Sequence, residues 1–170
     1  FSEEEIKKLK RKRENAYNET IKAGEKLSRN RAEKAAELSE KIMSCLSRLD
    51  MPKVRFEVEI ERKATPEHDG LDNVRFLLSA NPGEELRAIS KIASGGELSR
   101  IMLAMKNVLV KNDDIKTLIF DEVDTGVSGR AAQRVAEMLA EVSREKQVLC
   151  VTHLSQIAAM ADNHFKIEKN

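Results

Sequence analysis

The chain has 170 residues, 30 Lys and Arg against 29 Asp and Glu, a net charge of +1, one Tyr and no Trp. So balanced a charge and so few aromatic rings give no compositional argument for a polyanion-binding surface or a base-stacking platform. No apolar run approaches the roughly 18 residues of a membrane span, and nothing at the start resembles a signal peptide. Cys45 and Cys150 lack metal-ligand spacing and read as reduced, cytosolic thiols. A chain that opens on Phe1 reads as a fragment.

Composition changes near Asp50. Residues 1–50 hold 13 Lys/Arg, 10 Asp/Glu, one Gly and no Pro, whereas all three Pro and six of the seven Gly follow. The division expected is an arm at 1–50 and a globular lobe at 51–170, the latter large enough for a core of its own. In the arm, Ala35, Leu38, Ile42, Cys45 and Leu49 repeat at 3-4-3-4 spacing, which draws one apolar stripe along a helix. Upstream, Ile6, Leu9, Ala16, Ala23 and Leu27 continue it more sparsely, so the helix calls for a partner helix over its seam. The basic run from Lys7 to Arg13 is flanked by Glu3, Glu4, Glu5 and Glu14 and reads as a solvated helix face.

Pro52 ends the helix and the period becomes two. Val54, Phe56, Val58 and Ile60 alternate with charged residues, and Val74, Phe76 and Leu78 repeat the pattern after a polar loop at 65–73, which predicts an antiparallel pair of strands. Asn81-Pro82-Gly83 predicts a turn. A helix is expected after Gly96, with Leu98, Ile101, Met102, Met105, Val108 and Leu109 on one face. Thr117 to Phe120 and Val148 to Thr152 read as strands buried on both faces, separated by a helix carrying Ala131, Val135, Met138, Leu139 and Val142. A short helix and a strand around Phe165 to Ile167 follow. Such alternation implies an α/β lobe with a mostly parallel sheet and flanking helices.

Three local signals carry chemistry. Asp121 and Glu122 stand at the carboxyl end of a predicted strand, the ligand-binding edge of an open parallel sheet, where one carboxylate can hold Mg²⁺ through water and the other can act on an attacking water. Ser94-Gly95-Gly96-Glu97 has the spacing of a helix capping box, but its two glycines also open the helix start to an anion, which suits a phosphate. His153 follows the next strand, where its ring could reach the phosphate that Glu122 serves. His68 and His164 read as structural or exposed.

In this order the signals resemble the ABC-type ATPases: signature motif, Walker B, D-loop and switch histidine. The arm helix leading into the lobe narrows the resemblance to the SMC-like branch. Residues 51–56, 81–84, 91–100, 120–129 and 148–153, together with 156–159 and 161–162, resemble the RecN family of bacterial DNA-repair ATPases, over essentially all of 49–168. That resemblance implies a C-terminal ABC-ATPase lobe joined to a coiled-coil arm helix and ending short of the family's usual C-terminus. Asp121 would support Mg²⁺, Glu122 would act on the hydrolytic water and His153 would contact the γ-phosphate of ATP. Ser94, Gly95, Gly96 and Glu97 would bind the γ-phosphate of ATP held by a partner head. Asp124, Thr125, Gly126, Ser128 and Gly129 would belong to a D-loop crossing the dimer interface, although Val127-Ser128 stands where many relatives have Leu-Asp. The implied partners are the N-terminal half of the same protein, a second head and DNA. The implied place is the cytoplasm, on the nucleoid. No G-x-x-x-x-G-K-[ST] occurs in the sequence, so the fragment alone is expected to be inactive. The alternatives weighed are the head of an SbcC or SMC protein, a transporter nucleotide-binding domain and a non-catalytic coiled-coil module.

Overall fold

The computed structural model describes residues 2–79, 81–91, 95–112 and 114–168. Its first element is a 46-residue helix, α1, Glu3–Arg48. Ser2 and Glu5 close a capping box at its start, the Glu5 amide donating to Ser2 Oγ at 3.3 Å and the Ser2 amide to Glu5 Oε2 at 2.9 Å. At the far end Asp50 takes a left-handed φ of 63°, and the amides of Asp50 and Met51 donate back to the carbonyls of Ser47 and Leu46. That is a Schellman stop, built on Asp rather than Gly, with Pro52 just beyond it.

Strands β1, Arg55–Glu67, and β2, Gly70–Ser79, pair antiparallel with Phe56 opposite Leu78 and Ile60 opposite Val74. The expected loop at 65–73 is therefore largely strand, and the chain reverses over His68 and Asp69. Polar residues masked this extension, because the tip of the hairpin lies on α1 rather than on the core. A two-residue strand β3, Arg87–Ala88, adds to β2. Then come α2, Gly95–Leu109, β4, Thr117–Phe120, α3, Gly129–Ser143, β5, Gln147–Cys150, and the single turn α4, Ser155–Ala158.

Strands β4 and β5 pair parallel, with Phe120 opposite Cys150. One core gathers Ile42, Leu46 and Leu49 of α1, Ile101 and Leu103 of α2, and Val135, Met138 and Val142 of α3 around Leu118 and Phe120. The last turns of α1 thus pack inside the lobe. Arg48 pairs with Glu141 of α3, which also accepts from Asn107 Nδ2 of α2 at 3.1 Å, so the three helices share one polar knot at the rim of the core.

Two further expectations are corrected. The strands β4 and β5 are covered on one face only: Ile119, Leu149 and Val151 are 71%, 48% and 59% exposed. An apolar run records that a strand is destined for burial, not that the covering element lies in the same stretch of chain. Around Phe165 to Ile167 no strand forms, and both residues are about nine-tenths exposed. A strand needs a neighbour to bond to, and none of the described residues offers one there.

The hairpin clasps α1 well above the core. A side chain on Gly24 would meet Leu71, whose Cγ lies 2.5 Å from the position of the missing Cβ. Asp72, 4% exposed, accepts from Ser28 Oγ at 2.8 Å and Arg31 Nη1 at 3.2 Å, while Arg31 Nη2 donates to the Asp69 carbonyl at 2.8 Å. Arg62 pairs with Glu25 one turn higher. The lower half of the predicted stripe is therefore covered by this chain's own hairpin and α2, and Ile6 and Leu9 above it stay exposed.

Candidate functional site

The carboxyl ends of β4 and β5 lie side by side, the Val151 amide donating to the Phe120 carbonyl at 2.9 Å. The residues that follow each strand, Asp121-Glu122 and Thr152-His153, consequently emerge at the same edge of the sheet. Asp121 and Glu122 are exposed. The turn that carries them is held at three points. Asp121 Oδ1 accepts from the Glu122 amide at 2.9 Å, the Asp121 carbonyl accepts from Ser99 Oγ at 2.8 Å, and the Thr125 amide donates to the Glu122 carbonyl at 3.1 Å. Glu122 itself has a φ of 57°, a left-handed conformation in which a non-glycine residue stores about 1 kcal/mol or more.

The start of α2 abuts this turn. A Cβ on Gly95 would lie 2.3 Å from Glu122 Oε2, and one on Gly96 would lie 2.8 Å from the Thr125 carbonyl oxygen. Gly96 is thus required by close approach to backbone, whereas at Gly95 the neighbour is the movable tip of an exposed side chain. Arg100, buried in the next turn of α2, donates from Nη1 to the same Thr125 carbonyl at 2.8 Å. Burial lowers its guanidinium pKa and the nearby Glu97 carboxylate works against that. Ser94 lies outside the described residues. Gly126 and Gly129 have φ of 74° and 52°, so the loop between β4 and α3 turns at glycines. Ser128 stands at the N-cap of α3 without a side-chain capping bond, and Thr125, Gly126, Ser128 and Gly129 are exposed.

Asp124 is the exception in that loop, being 3% exposed. Its Oδ2 accepts from Thr152 Oγ1 at 2.5 Å and the His153 amide at 3.0 Å, and His153 Nδ1 lies 3.1 Å from the same oxygen. Burial pushes its carboxyl pKa up, but the hydrogen bonds from Thr152 and the His153 amide and the attraction of the imidazole outweigh that. The net result lies below the ordinary carboxylate range. The His153 ring is 72% exposed. Cys150, just below, is pushed up to about 11 by burial and by Asp124 and Asp121, so it offers no thiolate.

Among the described residues no three His, Cys, Asp or Glu side chains converge as a metal cage. The open carboxylates of Asp121 and Glu122 are oxygen donors of the kind Mg²⁺ prefers, and Mg²⁺ characteristically keeps several waters and takes one or two carboxylates beside substrate phosphates. They fit a cation held chiefly by a nucleotide. Ser99 and Thr152, whose side chains help hold the edge together, were given no role from the sequence because nothing in their spacing announces a contact.

No family model matches the chain. Among solved structures it is similar to the Smc head domain with a coiled coil and joint from Pyrococcus yayanosii, at 23% identity, TM-score 0.58, covering 91% of this chain and 30% of that one. It is likewise similar to the Smc head domain with an extended coiled coil from Pyrococcus furiosus, at 23% identity, TM-score 0.54, covering 94% and 40%. The fold is that of an Smc head domain: an α/β lobe fed by a long helix. Sequence relatives are the DNA repair proteins RecN of Halalkalibacterium halodurans, 48% identical over 84% of this chain, Bacillus subtilis, 40% over 96%, and Deinococcus radiodurans, 45% over 90%. The chain belongs to the RecN family, and its matches span 26–31% of the length of these relatives.

Proposed function

We propose that the chain is the C-terminal half of an ATPase head that works in recombinational repair of DNA double-strand breaks, with its arm helix at 1–50 and its lobe at 51–170. The observation that carries this reading is the alignment of the two strand ends, which brings Glu122 and His153 to one edge beside the glycine start of α2. In the complete protein ATP is the substrate. Glu122 orients the attacking water and accepts its proton, and His153 contacts the γ-phosphate. Asp121 supports Mg²⁺ through water, and that ion offsets charge on the phosphates when bound. Ser94, together with Gly95, Gly96 and Glu97 of α2's first turn, completes the nucleotide site of a partner head. The D-loop from Asp124 to Gly129 runs beside that interface.

The sequence contains no phosphate-cradling G-x-x-x-x-G-K-[ST]. That loop is assigned to the N-terminal half of the same protein, whose return arm helix covers the exposed stripe of α1. The bare apolar face of Ile119, Leu149 and Val151 supports the assignment, since a contiguous exposed patch at a sheet marks a place where another element docks. Two such heads close on two ATP molecules and open on hydrolysis. DNA is the partner and the nucleoid the place of action. No helix among the described residues is long and apolar enough to cross a membrane.

The test is made on the complete protein. Glu122→Gln is expected to lower ATP turnover by roughly 10²–10⁴-fold while ATP-driven head association survives, because the change removes a proton acceptor and little volume. A variant that turns over normally would remove Glu122 from its role.

A further inference from the structure

Asp124 stands two residues past Glu122 in an otherwise exposed loop, yet its carboxylate is buried and one oxygen accepts two hydrogen bonds, from the His153 amide and Thr152 Oγ1, with His153 Nδ1 3.1 Å away from the same oxygen. Thr152 Oγ1 also accepts from the Leu154 amide at 3.1 Å, which ties the segment on both sides of His153 to the same carboxylate. A carboxylate only accepts, so its nearness to Nδ1 favours a proton on that nitrogen and turns Nε2 outward as the free atom of the ring. The ring has no comparable burial to hold it, since it is 72% exposed. A surface imidazole without such a tether would sample several rotamers and both neutral tautomers.

We propose that Asp124 is a positioning residue for His153: a single buried carboxylate oxygen fixes the backbone, the ring orientation and the tautomer, so that Nε2 is presented beyond the tips of β4 and β5. The proposal rests on the reading of His153 as the γ-phosphate contact. It goes beyond the interface role that the resemblance assigns to the loop, because a side chain 3% exposed has little surface to offer a second head. Thr152 serves the same end by holding the carboxylate from the other side.

The experiment is a double-mutant cycle on ATP turnover by the complete protein. Asp124→Ala removes the acceptor oxygen, whereas Asn would keep one for the same donors, and kcat is expected to fall by roughly 10–100-fold with KM changed less than about threefold, as for loss of orientation rather than of binding. Placed on His153→Ala, the same change is expected to cost less than about twofold, since its whole effect passes through the ring. Thr152→Val leaves the carboxylate in place and should lower kcat severalfold in the same His153-dependent way, which keeps the test informative if Asp124→Ala does not fold. Full turnover in Asp124→Ala while His153→Ala is impaired would overturn the proposal alone, and so would losses that simply multiply. Full turnover in His153→Ala would overturn the reading of His153 on which it rests.

Discussion

Asp72 and Asp124 are both buried aspartates that accept several hydrogen bonds, and they do opposite work. Asp72 ties hairpin to arm: its partners, Ser28 and Arg31, sit on a regular helix, and Arg31 is itself only about a quarter exposed. Asp124 ties a loop to a ring that is mostly in water. The first joins two rigid elements and its value is stability. The second holds an exposed group in one direction, and its value is orientation. Burial of a carboxylate therefore does not by itself identify a functional residue. What the carboxylate grips, and whether that partner is open to solvent, makes the distinction.

The difference can be broken at each end. The largest effect is expected next to the strained Glu122. Gly95→Ala puts a methyl group 2.3 Å from Glu122 Oε2, and because Glu122 is exposed its carboxylate can swing away without disturbing the core. Thermal unfolding should be nearly unchanged, while turnover of the complete protein drops on the order of 10²-fold, the usual cost of misplacing a catalytic group by about an ångström. A variant that keeps its rate would show that Glu122 needs no fixed position.

At the other end Asp72→Ala should leave Ser28 and Arg31 without their acceptor and lower stability by about 1–3 kcal/mol, the lower part of the range applying because Arg31 can rehydrate. Denaturant titration measures it, and ATP turnover per folded molecule should stay within about twofold if the hairpin clasp is purely structural. A loss of rate larger than the loss of folded protein would instead couple the arm joint to the catalytic edge.

The smallest effect is expected at the polar knot. The Arg48 hydrogen bond holds the Glu141 carboxyl below its ordinary value, with burial opposing and Asn107 assisting. A depressed carboxyl contributes stability above its unfolded pKa and loses it as pH falls through the folded one, so the contribution is complete at neutral pH and disappears below about pH 4. Both side chains are more than a third exposed, so Glu141→Gln should cost less than about 1 kcal/mol at pH 7 and flatten the acid limb of a stability–pH curve. An unchanged acid limb would leave the knot without energetic weight.

Much of this molecule was legible in residue order. The 3-4-3-4 stripe on α1, the switch to period two after Pro52 and the two apolar strands each follow from local geometry, and each is present in the structure. The capping box at Ser2 and Glu5 carries the same S-x-x-E signal as Ser94 and Glu97 and marks the start of α1. Less accessible was the hairpin tip, where Asp69, Leu71 and Asp72 look like a polar loop until Gly24, Ser28 and Arg31 are found opposite them.

Sequence alone determined most of the elements, their order and the residue types at the strand ends, because helix and strand periods, turn chemistry and chain punctuation are local properties of neighbouring residues. It could also indicate the family, since long motifs preserve side-chain identity. Tertiary structure decided which of those residues meet. That Asp124 faces His153, that Gly95 gives way to Glu122 and that one face of β4 and β5 stays bare all depend on contacts between segments far apart in the chain. No local pattern encodes such contacts, because the free energy that selects them comes from burial and hydrogen bonding made only when the elements pack.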